Sequence, residues 1–343
     1  MKSGIIGGPG SGKTTVFEAL TGNFQETGRR GDDRIAAIRV PDPRVDVLAG
    51  MYSPRKTTYA QVEYLLPGKG LDKDSGKTGS SWTAVRDCDA LIHVVRNFSS
   101  YGLAEPTPLE DVNHIDQELI LNDFMVAEKR LERLDLDQKR GRKSDSEERA
   151  LLEACISTVE NNTPLRRRPE LASAPLLRGF AFLSSKPMLV LFNNADEDDA
   201  LPDITGGGSN ELGLAIRGKL EHELAQMSPE EAADFLKEFD IATSAKDRII
   251  AKSYELLGLI SFFTVGEDEV KAWTIRKHTA AIDAAEAIHT DLKKGFIRAE
   301  VLAYDDLMTA GAYAAARKLG TVRLEGKDYE VQDGDILHVR FNV

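Results

Sequence analysis

Met1-Lys2-Ser3-Gly4-Ile5-Ile6-Gly7-Gly8-Pro9-Gly10-Ser11-Gly12-Lys13-Thr14-Thr15 sets a short apolar run directly before a glycine-rich loop, and an amphipathic stretch follows. The spacing from Gly7 to Thr14 is that of a Walker A loop, and strand, loop and helix in that order are the context such a loop requires. Gly7, Gly10 and Gly12 let the backbone turn tightly and point successive N–H groups inward, where phosphate oxygens accept from several donors at once. The helix that follows adds the positive end of its dipole. Gly8, Pro9, Gly10, Ser11, Gly12, Lys13, Thr14 and Thr15 form the expected phosphate-binding set. Lys13 is expected to reach the β- and γ-phosphates of a nucleoside triphosphate, and the Thr14 hydroxyl to take one position on Mg2+.

Outward from this loop, 343 residues leave room for two or three domains with proper cores. No run approaches the ~20 apolar residues of a membrane span. With the loop opening at Gly7, no signal peptide is expected. Cys88 and Cys155 are the only cysteines and stand far apart, which argues against a disulfide framework or zinc site and for a reducing compartment. A net charge of −12 argues against indiscriminate nucleic-acid binding over the whole surface. Residues 118–175 are nearly balanced, with 11 basic against 12 acidic side chains and clusters at Lys139-Arg140, Arg142-Lys143 and Arg166-Arg167-Arg168. Each cluster reads more readily as a solvated helix end or loop than as a contact site.

In residues 115–134, Ile120, Phe124, Ala127, Leu131 and Leu134 alternate at spacings of four and three, which makes one narrow apolar seam on a helix. A charged connector follows at 135–145, and Leu152, Cys155 and Val159 repeat the spacing, with Ser144 and Glu147 placed for a capping box. The pattern predicts an antiparallel helical hairpin. Ala90-Leu91-Ile92-His93-Val94-Val95 and Pro187-Met188-Leu189-Val190-Leu191-Phe192 are continuous apolar runs, as in strands of a parallel sheet buried on both faces. His93 inside the first reads as a satisfied core histidine. Gly206-Gly207-Gly208-Ser209 reads as a loop, and residues 212–216 as a last strand. Beyond residue 259, strand-like 271–275, an alanine-rich helix at 282–292, strand-like 297–304 and two short strands around turns at Glu325-Gly326 and Asp333-Gly334 give the order of a small β-grasp domain.

Further motifs accompany the glycine loop: Val40-Pro41-Asp42-Pro43-Arg44, Glu118-Leu119-Ile120-Leu121, Lys186-Pro187-Met188, Phe262-Phe263-Thr264-Val265-Gly266, Ala272-Trp273-Thr274-Ile275, Gly295-Phe296-Ile297-Arg298-Ala299-Glu300-Val301, and residues 326–335. Together they resemble the YchF or Obg-like ATPase family, a branch of the translation-factor class of P-loop proteins. The resemblance implies an α/β P-loop G-domain at 1–117 and 176–258, a helical coiled-coil insertion at 118–175, and a TGS-like β-grasp domain at 259–343. It implies a nucleoside triphosphatase of the cytoplasm that takes ATP, with GTP as second choice, uses Mg2+, and partners the ribosome or a ribosome-bound factor. No membrane or specific DNA partner is expected, and the chain is expected to be a monomer.

Guanine-specific members of the class use Asn-Lys-x-Asp, whose carboxylate accepts from guanine's N1–H and exocyclic amine. The family carries Asn-x-x-Glu instead, and Asn194-Ala195-Asp196-Glu197 matches it, with Arg217 and Gly218 where a backbone N–H completes the base pocket. A second frame, Asn193-Asn194-Ala195-Asp196, preserves the aspartate but lacks the lysine. Strand length favours the first frame, hence ATP. Ser244-Ala245-Lys246 spells a base-pocket motif more literally but is expected to be a decoy between helices.

The departures concern turnover. Where the family has Asp-x-x-Gly, this chain has Leu65-Leu66-Pro67-Gly68, which loses the carboxylate that supports magnesium but keeps the Gly68 N–H for the γ-phosphate. Arg30 falls at the first-switch threonine and is a candidate internal arginine finger, and His278, Ile282 and Glu286 replace Gly, Pro and Gly in the TGS helix region. Slow hydrolysis is therefore expected. A nucleotide-binding scaffold with negligible hydrolysis, and further off a phosphotransferase like the nucleoside monophosphate kinases, are the alternatives.

Overall fold

The computed structural model describes residues 1–24, 32–68, 80–142, 145–202, 212–238 and 244–342. Arg30, Lys143, Ser144 and the 206–209 glycine run lie outside these. Two compact units emerge: Met1–Ala37 with Glu63–Ser253, and Ile38–Val62 with Tyr254–Val343. The second boundary falls close to the expected residue 259, but the segment 38–62, expected in the G-domain, groups with the C-terminal residues.

The first sheet contains β1 (Lys2–Ile6), β2 (Arg34–Arg39), β4 (Gln61–Leu66), β5 (Ala90–Asn97), β6 (Met188–Asn194) and β7 (Leu212–Ile216), in the order β2-β4-β1-β5-β6-β7. β1 runs parallel to both β4 and β5, with Gly4 opposite Leu65 and Ile6 opposite His93. β5, β6 and β7 continue in parallel. The continuous apolar runs are buried on both faces: Leu91, Val95, Val190 and Phe192 join Ile6, Leu65, and Trp82 and Val85 of α3 (Ser80–Arg86) in one core. β1 at the centre delivers the glycine loop to the sheet's carboxyl end, and α1 (Lys13–Thr21) leaves from it. This is the crevice in which open parallel sheets bind ligands.

The helical excursion is longer than the seam alone indicates. α4 runs Pro108–Lys139 and α5 runs Ser146–Glu160, so α4 opens ten residues before the expected 118 and absorbs the start of the connector. Pro108 occupies the first helical turn, where its missing N–H costs nothing. Gly141, at φ 73, ends the helix in the left-handed region. Asp145 caps α5, its carboxylate accepting from Glu147 N at 2.9 Å and Glu148 N at 3.3 Å. Arg130–Glu148 (2.7 Å) and Arg149–Asp135 (2.7 Å) pair the helices in opposite directions. Ile120, Ala127, Leu134, Leu152, Cys155 and Val159 form a core of their own with Leu165, Phe182 and Leu171 of the short α6 (Pro169–Ala172). Arg166, one of the expected solvated cations, is instead buried and paired bidentately with Asp116 at 2.6 and 2.7 Å. Asp123 accepts from Leu183 N and Ser184 N, both at 2.7 Å, and burial still pushes its carboxyl up to about 6.

In the second unit, β3 (Lys56–Thr58), β8 (Leu259–Thr264), β9 (Glu269–Arg276), β10 (Phe296–Ala303), β11 (Arg323–Glu325) and β12 (Asp335–Phe341) form a sheet ordered β11-β10-β12-β8-β9-β3. Parallel pairing of β3 with β9 explains why the segment 38–62 belongs here. α2 (Pro43–Tyr52) is capped by Asp42, whose carboxylate accepts from Arg44 N. The Arg44 guanidinium reaches Asp333 at 2.8 Å, and Asp333 also accepts from Ser261 N at 2.9 Å. The helix expected at 282–292 is two pieces, Ala281–Ile288 and Thr290–Lys294, because His289 is extended between them and caps the second. His278 stands at φ 63, a left-handed conformation that favours the glycine which the resemblance implies at this position.

Candidate nucleotide site

Gly7 stands at φ 150, a conformation that L side chains rarely adopt, and has no room for one, since a Cβ there would lie 2.3 Å from the Val94 carbonyl oxygen. Gly10 (φ 72) and Gly12 (φ 91) hold the left-handed conformation, and Gly12 is the N-cap residue of α1. Lys13 Nζ donates to the carbonyls of Gly7 at 2.9 Å and Gly8 at 2.6 Å, which holds the ammonium against the loop's own backbone. Thr14 is exposed, whereas Ser11 is buried and its Oγ has no hydrogen-bond partner among the described residues. Beneath the loop, His93 is fully buried with both ring nitrogens unpartnered among the described residues, so it is a core histidine but not a satisfied one. Burial first, then the positive charges of Arg166 and Lys13, pushes it down to about 3, so it is neutral.

The segment after β6 is tied to the glycine loop by Asn193. Asn193 is buried at the end of β6; its Nδ2 donates to the Ser11 carbonyl at 3.0 Å, and its Oδ1 accepts from Gly218 N at 2.9 Å. A Cβ on Gly12 would lie 2.3 Å from Asn193 Nδ2, and one on Gly218 2.5 Å from Oδ1, so both glycines are demanded by this brace. Asn194 turns elsewhere, accepting from Asn97 Nδ2 at 2.9 Å and donating to the Ala200 carbonyl at 2.7 Å. In the turn that follows, Glu197 is exposed, and Ala195 and Asp196 are half-buried. Asp196 Oδ2 lies 3.5 Å from Lys219 Nζ. Arg217 immediately precedes α7 (Gly218–Leu224) and is its N-cap residue. Ser244-Ala245-Lys246 starts another helix, Ala245–Leu256, where the Ser244 hydroxyl accepts from Asp247 N at 3.2 Å and Ala245 N donates to Glu221 at 2.8 Å. Ser244 thus serves as a cap of that helix.

Across the loop, Leu65 is 1% exposed in the sheet core and offers no oxygen. Gly68 N donates to Asp33 Oδ1 at 3.0 Å, a contact with no precursor in the sequence pattern. Among the described residues no three acidic, histidine or cysteine side chains gather as a metal site. The Thr14 hydroxyl is exposed beside the loop, an oxygen donor of the kind that Mg2+ takes alongside water and phosphate.

A parallel sheet, a glycine loop closing on its own lysine, and an asparagine bracing that loop define a P-loop nucleoside triphosphatase. Comparison with known proteins narrows the class. Residues 259–342 match the family model YchF-GTPase_C, whose description is "protein of unknown function". The chain is 36% identical to the ribosome-binding ATPase YchF of Bacillus subtilis over the whole of both chains, and 35% identical to that of Haemophilus ducreyi over 100% of this chain and 99% of the relative. The structure of the Schizosaccharomyces pombe YchF GTPase superposes with a TM-score of 0.84 at 29% identity, covering 99% of this chain and 97% of that one. A GTP binding protein from Pyrococcus horikoshii shares the fold, with a TM-score of 0.56 at 18% identity over 100% of both chains. The chain belongs to the YchF family.

Proposed function

We propose that this protein is a slow, magnesium-dependent nucleoside triphosphatase that binds ATP or GTP in the loop Gly7–Thr15 and works on the ribosome in the cytoplasm. The observation that carries the reading is the brace from Asn193 to the Ser11 carbonyl and Gly218 N–H, which ties the phosphate loop to the segment after β6 at 3.0 and 2.9 Å. A loop preorganised in this way offers its N–H groups to phosphate without first having to be ordered. Residues 8–15 are assigned to the phosphates, Lys13 to the β- and γ-oxygens, Gly68 N–H to the γ-phosphate and Thr14 to Mg2+. Magnesium, when bound with the triphosphate, supplies charge neutralisation between the β- and γ-oxygens. Slow turnover follows from Leu65, a buried leucine at the position of a magnesium-supporting carboxylate. Arg30 is retained as the proposed finger.

The ribosome is proposed as partner because the curated relatives are ribosome-binding ATPases that match this chain over its full length. An acidic chain of net charge −12 reaches RNA only through local basic patches, so a shallow salt dependence is expected. Phosphate release with and without ribosomes, and with and without an AMP acceptor, tests the whole reading. Stimulation by ribosomes is the expected outcome. Phosphate transfer to AMP would replace the reading with a phosphotransferase, and no release under any condition would leave a nucleotide-binding scaffold.

A further inference from the structure

We infer that the C-terminal sheet senses the γ-phosphate and that the segment 38–62 carries the signal, an inference that rests on the nucleotide-binding reading above. The chain leaves the first unit inside β2, after Ala37, and re-enters it inside β4, at Glu63. What lies between is built into the second unit by two separate anchors. At the first, Arg55 N donates to the Glu267 carbonyl at 3.0 Å and Lys56 N to that of Asp268 at 3.1 Å, which seats β3 as an edge strand on β9. The Thr58 hydroxyl adds a bond to Glu269 at 2.6 Å. At the second, the Arg44 guanidinium donates to both oxygens of Asp333, at 2.8 and 3.3 Å, and lies 5.1 Å from the Phe263 ring centroid. Gly334 leaves room for it, since a Cβ there would lie 3.0 Å from Arg44 Nη1. Asp333 in turn holds Ser261 N at 2.9 Å, and Gly334 N donates to the Ser261 carbonyl at 2.8 Å. Val45 and Leu48 of α2 are fully buried. Together these contacts tie 38–62 to the C-terminal sheet as one body.

Both flanks of this segment lead to groups that face the γ-phosphate. Asp33 directly precedes β2, Gly68 follows the end of β4, and the Asp33 carboxylate accepts from Gly68 N at 3.0 Å. That bond closes residues 33–68 into a ring at its base, with 38–62 as the far side. Gly68 N–H is also the donor assigned to the γ-phosphate, so a triphosphate opens the ring and a diphosphate leaves it closed. Closing a loop at its base restrains the far side, and opening it releases the restraint. A ligand shifts such an equilibrium only by its differential affinity for the two arrangements, which the γ-phosphate has because it competes for the same N–H. Linkage makes the effect reciprocal: a partner that grips the C-terminal sheet more firmly in one arrangement changes the ratio of triphosphate to diphosphate affinity by the same factor. A single exposed hydrogen bond limits that factor to about three- to fivefold.

The test is amide hydrogen exchange on the full chain in excess Mg2+, for wild type and Asp33→Ala. Each is measured without nucleotide, with a diphosphate and with a nonhydrolysable triphosphate, of adenosine or guanosine, whichever binds tighter. In wild type both nucleotides are expected to protect residues 7–15, and only the triphosphate to speed exchange, about three- to fivefold, at the anchors 55–58, 259–264 and 331–336. Asp33→Ala lacks the closing bond in every state. Its anchors are therefore expected to exchange at the triphosphate rate with no nucleotide present, and to change no further when the triphosphate binds. Asp33 is exposed, and a misfolded variant would also lose protection in β1 and β5, which serve as the control. Anchors that exchange alike with diphosphate and triphosphate, while 7–15 is protected, would overturn the proposal and leave the nucleotide reading standing. So would Asp33→Ala anchors that keep the nucleotide-free rate of wild type. If neither nucleotide protects 7–15, the nucleotide reading itself falls, and the sensing of a γ-phosphate with it.

Discussion

The loop after β1 and the turn after β4 face the same triphosphate in P-loop proteins, yet in this chain they are built from different materials. The loop relies on backbone, one ammonium and a buried amide: three closely constrained glycines, Lys13 held on two carbonyls, and Asn193 beneath. The turn carries Leu65, packed in the sheet core, where the family resemblance implies an acidic group, and its Gly68 N–H is already engaged by Asp33. Contacts from the loop hold substrate and product nearly alike, whereas groups around the γ-phosphate act on the transferring atom. Only interactions that strengthen in the transition state accelerate chemistry. An intact loop beside a depleted turn is the contrast on which the proposal of binding with slow turnover rests.

Removing Lys13 attacks the intact side where its charge is concentrated. Lys13→Ala is expected to weaken triphosphate binding by about 100-fold or more, roughly 3 kcal/mol, with little change in melting temperature. Titration of a nonhydrolysable triphosphate measures it, and a loss below about fivefold would remove Lys13 from the site. Asn193→Ala probes the same side through its scaffold. It leaves the Gly218 N–H and the Ser11 carbonyl without their buried partner, so stability is expected to fall by about 2–3 kcal/mol. Affinity should fall with it, by about tenfold or more. Chemical denaturation without nucleotide, set beside titration, separates the two effects; an unchanged midpoint would mean that the brace is not structural.

Much of this contrast was legible in the residues. The glycine spacing located the loop, and the apolar runs located β5 and β6, because buried parallel strands leave a continuous signature. The brace beneath the loop was not legible. Asn193 and Asn194 are chemically identical neighbours, and only the turn after β6 decides which one bonds to the Ser11 carbonyl. Gly218 carried the available signal, since a glycine opening a helix asks for a close neighbour, and that neighbour is Asn193. In the second unit, Pro41-Asp42-Pro43-Arg44 and Asp333-Gly334 stood out as motifs, but their meeting through Arg44 and Asp333 is a contact across 289 residues that no local pattern encodes. Charge patterning misled at Arg166: a run of three arginines reads as solvent-facing, and the partner that buries one of them, Asp116, lies 50 residues earlier.

Leu65→Asp attempts to rebuild the depleted side. Because the position is 1% exposed, the new carboxylate is costly without an ion, and the free variant is expected to melt earlier than wild type. With magnesium and triphosphate present, turnover is expected to rise about tenfold, or roughly 1.4 kcal/mol in the barrier. The measurement is single-turnover phosphate release, paired with a melting curve in the same buffer. A folded variant with an unaltered rate would place the limit elsewhere than the missing carboxylate.

The smallest expected effect lies at Asp33, and it decides how the depleted side is to be understood. Asp33 is exposed, and its Oδ1 accepts from Gly68 N at 3.0 Å, the N–H that a γ-phosphate would use. A γ-phosphate must displace this carboxylate and approach its charge, while a diphosphate does neither. Exposure and salt keep the penalty near 1 kcal/mol. Asp33→Ala is accordingly expected to tighten a nonhydrolysable triphosphate about three- to fivefold and to leave the diphosphate unchanged, so the ratio of the two affinities is the quantity to measure. Equal tightening of both nucleotides would reveal only a general relief of negative charge. Weaker triphosphate binding, confined to conditions with magnesium, would reverse the assignment: Asp33 would then be supplying the carboxylate that Leu65 has lost, and the turn after β4 would be rebuilt rather than depleted.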